Sequence, residues 1–166
     1  DLVAIGDGWI SGVEPGLLRQ VITDELSFKL DSKAQQFLKG LGSEFSSKVF
    51  PIGVSPWVML FRNGDNWIPL ANEAWDILLD QSLTNQIVFP NSPYLLISIA
   101  KKIGFIDDFS KLKNQAKVFD DRNALNWVVS GRANAAILPL SSCVKNLIED
   151  PRLSVILPNE GCPLNW

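Results

Sequence analysis

The sequence predicts an α/β fold in which a mixed sheet is flanked by helices. Three observations predict it. The stretch Val49–Arg62 is apolar almost throughout, rich in β-branched and aromatic residues, and uncharged until Arg62, as suits a strand buried on both faces. Shorter apolar runs follow at Ile87–Phe89, Ala133–Leu138 and Ser154–Leu157, alternating with segments of helical spacing. The joins at Pro90–Pro93 and Pro139–Ser142 carry the cap and first-turn residues of a helix that starts directly after a strand.

Taken in order, Leu2–Ile5 reads as a short buried strand turned by Gly6-Asp7-Gly8. Ligands of open α/β sheets sit beyond the carboxyl ends of strands, which makes Asp7 and Trp9 candidate cleft contacts. A plain turn with Trp9 tucked into the core explains the same residues. Glu14–Ile22 is predicted to be a helix with Pro15 in its first turn. Ser32–Leu41 is a second, capped by Asp31 or Ser32, with Phe37, Leu38 and Leu41 on its buried side. Within Val49–Arg62, the residues Pro51, Gly53 and Pro56 rule against a helix and divide the strand. They place Ser55 and Trp57 near a passage from one packed unit to another.

Asn63–Asn66 is a turn cluster, and Asn72–Leu79 a helix from an Asn72 cap with Trp75 as a packing anchor. After the strand Gln86–Phe89, Ser92 is placed as N-cap, Pro93 as the first helical residue and Gly104 as the stop of a helix over Tyr94–Ile103. Such a helix start leaves unpaired N–H groups and partial positive charge, which suits a carboxylate or another anion. Asn91, Ser92 and Tyr94 equally suit neutral hydrogen bonding, and ordinary capping with nothing bound is the plain alternative. Lys101, Lys102, Lys111, Lys113 and Lys117 fit a solvated face. Asp120-Asp121 caps a helix over Arg122–Ser130 that stops at Gly131. Ala133–Leu138 is a strand of small residues, and Ser141 lies at the start of a further helix, repeating the strand-then-cap pattern.

The totals describe a folded globular chain of 166 residues, 46% hydrophobic and 20% charged, long enough for one sizeable domain and a fraction. A net charge of −3 without a basic cluster argues against nucleic acid as a partner. No apolar run reaches the ~18 residues of a membrane span. Histidine is absent, which excludes Ser-His-Asp and Cys-His nucleophile systems and His-based zinc sites within the chain. Cys143 and Cys162 are read as a disulfide or as two small buried thiols, the second being preferred. An opening at Asp1, without Met or a signal peptide, points to a segment of something longer.

The order of the pieces resembles the middle section of periplasmic substrate-binding proteins of ABC transporters, the spermidine/putrescine-binding group above all. The matching stretches are Asp1-Leu2-Val3, Phe50-Pro51-Ile52-Gly53-Val54, Trp75-Asp76-Ile77-Leu78, Ser130-Gly131-Arg132-Ala133-Asn134 and Val155-Ile156-Leu157-Pro158-Asn159-Glu160-Gly161. The resemblance implies a type II periplasmic binding fold, with two lobes joined by crossing strands and a ligand held between them. Residues 1–48 are then a partial first lobe, 49–62 the outgoing crossing strand, 63–154 the second lobe and 155–166 the returning crossing strand. It also implies that Trp9, Trp57 and Glu160 stand at or beside cleft positions. Polyamine binders use carboxylates for ammonium groups and aromatics for methylene chains. Here Pro90-Asn91-Ser92-Pro93 carries no acid, and Pro139 stands where the family has an aromatic, so a zwitterion, a smaller amine or a polar neutral solute fits as well.

The function expected is a non-catalytic solute receptor that needs no cofactor or metal and delivers a small molecule to an ABC transporter permease outside the cytoplasm. The ligand set is Asp7, Trp9, Ser55, Trp57, Asn91, Ser92, Tyr94, Ser141 and Glu160. Self-association is expected if half of a lobe is missing. The alternative is an effector-sensing domain of a transcriptional regulator. An enzyme using Asp7 and Glu160 as paired carboxylates is a third reading, with no nucleophile or metal set to accompany them.

Overall fold

β1 (Ser55–Arg62) is the spine of a six-stranded mixed sheet in the computed structural model, which describes residues 3–22, 24–62, 74–104 and 109–166, apart from the side chains at positions 7, 8 and 11. The other strands are β2 (Ile87–Phe89), β3 (Ala116–Phe119), β4 (Ala135–Pro139), β5 (Leu153–Ile156) and β6 (Leu164–Asn165). Their order is β3-β2-β4-β1-β5, with β6 paired to the start of β1. β2 runs parallel to β3 and β4, whereas β1 is antiparallel to β4, β5 and β6.

Both faces of the sheet are covered, which is why β1 reads as an uninterrupted apolar run. Met59 and Phe61 point to one face, with Ile87, Phe89, Ala135, Ile137 and Ile156. They pack against Trp75, Leu78 and the helix α3 (Pro93–Lys102). Val58 and Leu60 point to the other, with Val88, Ala136 and Leu138, against α5 (Ala124–Val129) and Cys143. Val58, Met59, Leu60 and Phe61 are fully buried, and each contributes about 1.5–3 kcal/mol of transfer free energy.

By its internal contacts the chain divides into two compact units, Asp1–Val54 with Trp166, and Ser55–Asn165. The second holds the sheet, α3, α4 (Ser110–Gln115), α5 and α6 (Val144–Glu149). The first holds α1 (Asp24–Ser27) and α2 (Ser32–Gly40). Asp31 caps α2 by accepting the Ala34 N–H at 2.8 Å, and Phe37 stacks on Trp166 with ring centroids 4.9 Å apart. Among the described residues of the first unit, the buried apolar side chains are Ile10, Ala34 and Leu38.

Several sequence expectations differ from this structure. Leu2 lies outside the described residues. Residues 3–6 form no strand, and Val3 and Ile5 are 77% and 45% exposed, because this apolar run has no pairing partner among the described residues. Gly6-Asp7-Gly8 leads into a 3-10 helix over Asp7–Gly12. Of the helix expected over Glu14–Ile22, a 3-10 turn at Pro15–Leu17 forms; Val21 and Ile22 instead donate their N–H groups to the Ser47 carbonyl. The strand begins at Ser55, after Pro51 and Gly53, and the return is split into β5 and β6 by the turn at Asn159-Glu160. Asn63–Asn66 and the Asn72 cap lie outside the described residues, and Trp75–Leu79 forms a 3-10 helix. The preferred reading of the cysteines agrees with the structure in that both are free thiols, Cys143 buried and Cys162 half-buried.

Candidate functional site

The sheet topology gathers polar residues at one edge. β2, β3 and β4 are parallel, so their carboxyl ends lie together; antiparallel β1 begins at that same edge. The direction of pairing changes between β4 and β1, and a change in strand order or direction is where open α/β sheets leave a crevice beyond their strand ends.

At the end of β2, Ser92 accepts the Leu95 N–H at 3.3 Å and Pro93 opens α3, as expected from a strand–cap–proline sequence. Gly104, at φ +85°, follows the end of that helix in the left-handed conformation that favours glycine. Asn91 is exposed, and its N–H donates to Asp121 Oδ1 at 2.9 Å. The first-turn Tyr94 is 84% exposed. At the end of β3, the Asp120 carboxylate accepts the N–H groups of Arg122 and Asn123, both at 3.0 Å, and the Trp127 indole N–H at 3.1 Å. These donors, the Asn123 N–H foremost, hold its carboxyl below the usual range.

At the end of β4 the chain enters a 3-10 turn, Leu140–Ser142. There the Ser141 N–H donates to Ser55 Oγ at 2.9 Å, tying the start of β1 to the end of β4. Ser55 is buried and Ser141 exposed. Trp57, two residues on, pairs with Pro139 and packs partly buried against the face that carries Trp75.

The structure therefore brings Ser55, Trp57, Asn91, Ser92, Tyr94 and Ser141 to one sheet edge. Asp7 and Trp9 belong to the other unit, Trp9 being 60% exposed. Glu160 lies in the loop that follows the carboxyl end of β5, a loop whose Pro163 carbonyl accepts the Trp57 N–H at 2.8 Å. Its Oε2 accepts the Trp75 N–H at 3.1 Å and its carbonyl accepts Lys102 Nζ at 2.7 Å. Lys102 is the last residue of α3. Asp121 was read as a helix cap and not as a site residue, because its nearness to Asn91 follows from β2 lying beside β3. Among the described residues no group of three or more His, Cys, Asp or Glu side chains could hold a metal ion, and no helix is long and apolar enough to cross a membrane.

No protein-family model matches the chain, and no curated protein matches it. Solved structures do. A putative spermidine/putrescine ABC transporter from Listeria monocytogenes aligns with a TM-score of 0.66 at 19% identity, over 96% of this chain and 53% of that one. An ABC transporter from Clostridium perfringens aligns with a TM-score of 0.64 at 16% identity, over 97% of this chain and 54% of that one. A ferric binding protein from Campylobacter jejuni aligns with a TM-score of 0.57 at 19% identity, over 90% and 52%. The chain spans about half the length of these neighbours. The fold it shares with them, a mixed sheet flanked by helices, is that of type II periplasmic binding proteins.

Proposed function

We propose that this chain is part of the solute-binding component of an ABC transporter, and that the sheet edge at Asn91, Asp121 and Ser141 contacts a small amine-bearing solute. The observation that carries the reading is the hydrogen bond from the Asn91 N–H to Asp121. A bare strand–helix join would favour an external anion. Here the protein supplies its own carboxylate to Asn91, and Ser92 takes a further N–H of the helix start. The Asp121 carboxylate and the hydroxyl and amide oxygens at this edge are acceptors of the kind that suit ammonium donors. The neighbours described as spermidine/putrescine transporters agree with that chemistry. Delivery to a membrane permease and an extracytoplasmic location belong to the same reading.

Calorimetry on the intact protein with putrescine, spermidine, glutamate and phosphate tests it. The amines are expected to bind, and Asp121→Asn to weaken them at least tenfold. Tight binding of phosphate with none of putrescine or spermidine would overturn the assignment.

A further inference from the structure

A half-enclosed apolar cavity of about 320 Å³ lies where the ends of β2 and β3 meet α3 and α4. Phe89 and Phe119 form one wall, their ring centroids 6.1 Å apart and their planes inclined by 33°. Leu96 and Ile97 of α3 and Leu112 of α4 close the other sides, and among the described residues of the lining Lys113 is the charged one. Ile97 and Phe119 are 40% and 42% exposed, so the cavity keeps apolar wall in contact with water. Burying that wall under a ligand gains free energy in proportion to the area covered.

We propose that this cavity, which adjoins the polar sheet edge at Pro93, is a second ligand site and that it takes a small aromatic carboxylate. Its volume falls within the range of small-molecule sites, and its lining is of the predominantly apolar kind such sites share. The inclined phenyl pair offers a ring both faces and edges to pack on. Lys113 supplies a cation for the acid group, and its ammonium selects carboxylates over neutral rings of the same size.

The test is ligand-observed NMR on the intact protein with 3-phenylpropionate, benzoate and the neutral benzyl alcohol. The expected result is saturable binding of 3-phenylpropionate. Lys113→Gln should weaken it at least threefold and leave benzyl alcohol unchanged. Ile97→Trp, which fills the cavity from a partly exposed position, should abolish binding of both, with putrescine affinity unaltered. Phe119→Trp, filling from the opposite wall, must show the same loss if Ile97→Trp proves poorly folded. No binding of either carboxylate, undiminished binding in both filling variants, or a dimer in ultracentrifugation that Ile97→Trp dissociates would each overturn the proposal.

Discussion

The carboxylate of Glu160 accepts the backbone N–H of Trp75 at 3.1 Å, across 85 positions of sequence. The Trp75 indole N–H donates to the Gly161 carbonyl at 3.1 Å, so one fully buried tryptophan holds the turn between β5 and β6 at two points. Glu160→Ala strands the Trp75 N–H and is expected to cost about 1–3 kcal/mol of stability. Glu160→Gln keeps an acceptor and should cost less. Urea denaturation of both variants checks this, and a neutral Glu160→Ala that loses only solute affinity would reverse the role assigned to this residue.

The acid limb of the stability curve is expected to be set in part by Asp150 and Asp120. Arg152 grips Asp150 through Nε and Nη2, each at 2.8 Å, and these hydrogen bonds lower its carboxyl to about 2. An unfolded aspartate titrates near ~3.9, so between these values the unfolded chain binds more protons. The contribution is therefore complete above the unfolded value and fades as the pH falls toward 2. Asp120, lowered by the Asn123 and Trp127 N–H groups, acts in the same direction. Urea midpoints at pH 6, 4 and 3 should fall less steeply in Asp150→Asn and Asp120→Asn than in the unmodified protein.

Alkylation should distinguish the two thiols. Burial pushes Cys143 up to about 11, and its Sγ–H donates to the Leu140 carbonyl at 3.3 Å. Cys162 is also raised by burial, but it is half-buried. Because the thiolate is the reactive form, native protein at pH 8 should label slowly, with Cys162 reacting before Cys143. Mass spectrometry after timed quenching reads the order. Prompt modification of Cys143 in the folded state would contradict its placement behind α5 and β4.

Gly131→Ala is expected to cost about 1–2 kcal/mol, since Gly131 has φ +72° and a left-handed backbone penalises a side chain. An added Cβ would also stand 3.4 Å from Arg62 Nε. Arg62 Nη1 donates to the carbonyls of Val128 and Val129, satisfying the last turn of α5. Thermal melts of Gly131→Ala and Arg62→Met compare the strain with the loss of that cap.

The region from Ile87 to Gly104 was legible because its signals are local: a β-branched run, a serine cap, a proline at the first helical position and a closing glycine. The burial of β1 on two faces was legible for the same reason. β3 was missed, since Ala-Lys-Val-Phe is short, half exposed and carries a lysine, and its strand state comes from pairing with β2. Near the start of the chain the reverse held, with apolar Val3 and Ile5 suggesting a strand where no partner exists among the described residues. At the candidate site, Ser92 was readable from its cap position. The pairings of Asn91 with Asp121 and of Ser55 with Ser141 depend on strand order, which no local pattern encodes.

β1 finds its ladder partners late: Trp57 faces Pro139, Met59 faces Ile156 and Ser55 faces Asn165. A nascent chain leaving the ribosome therefore carries its most apolar segment for roughly seventy residues before the first of these strands is synthesised. Ring closure over such distances makes refolding slow beside a helical bundle of equal size, and it leaves an open, sticky edge for holdase chaperones to cover until β4 arrives.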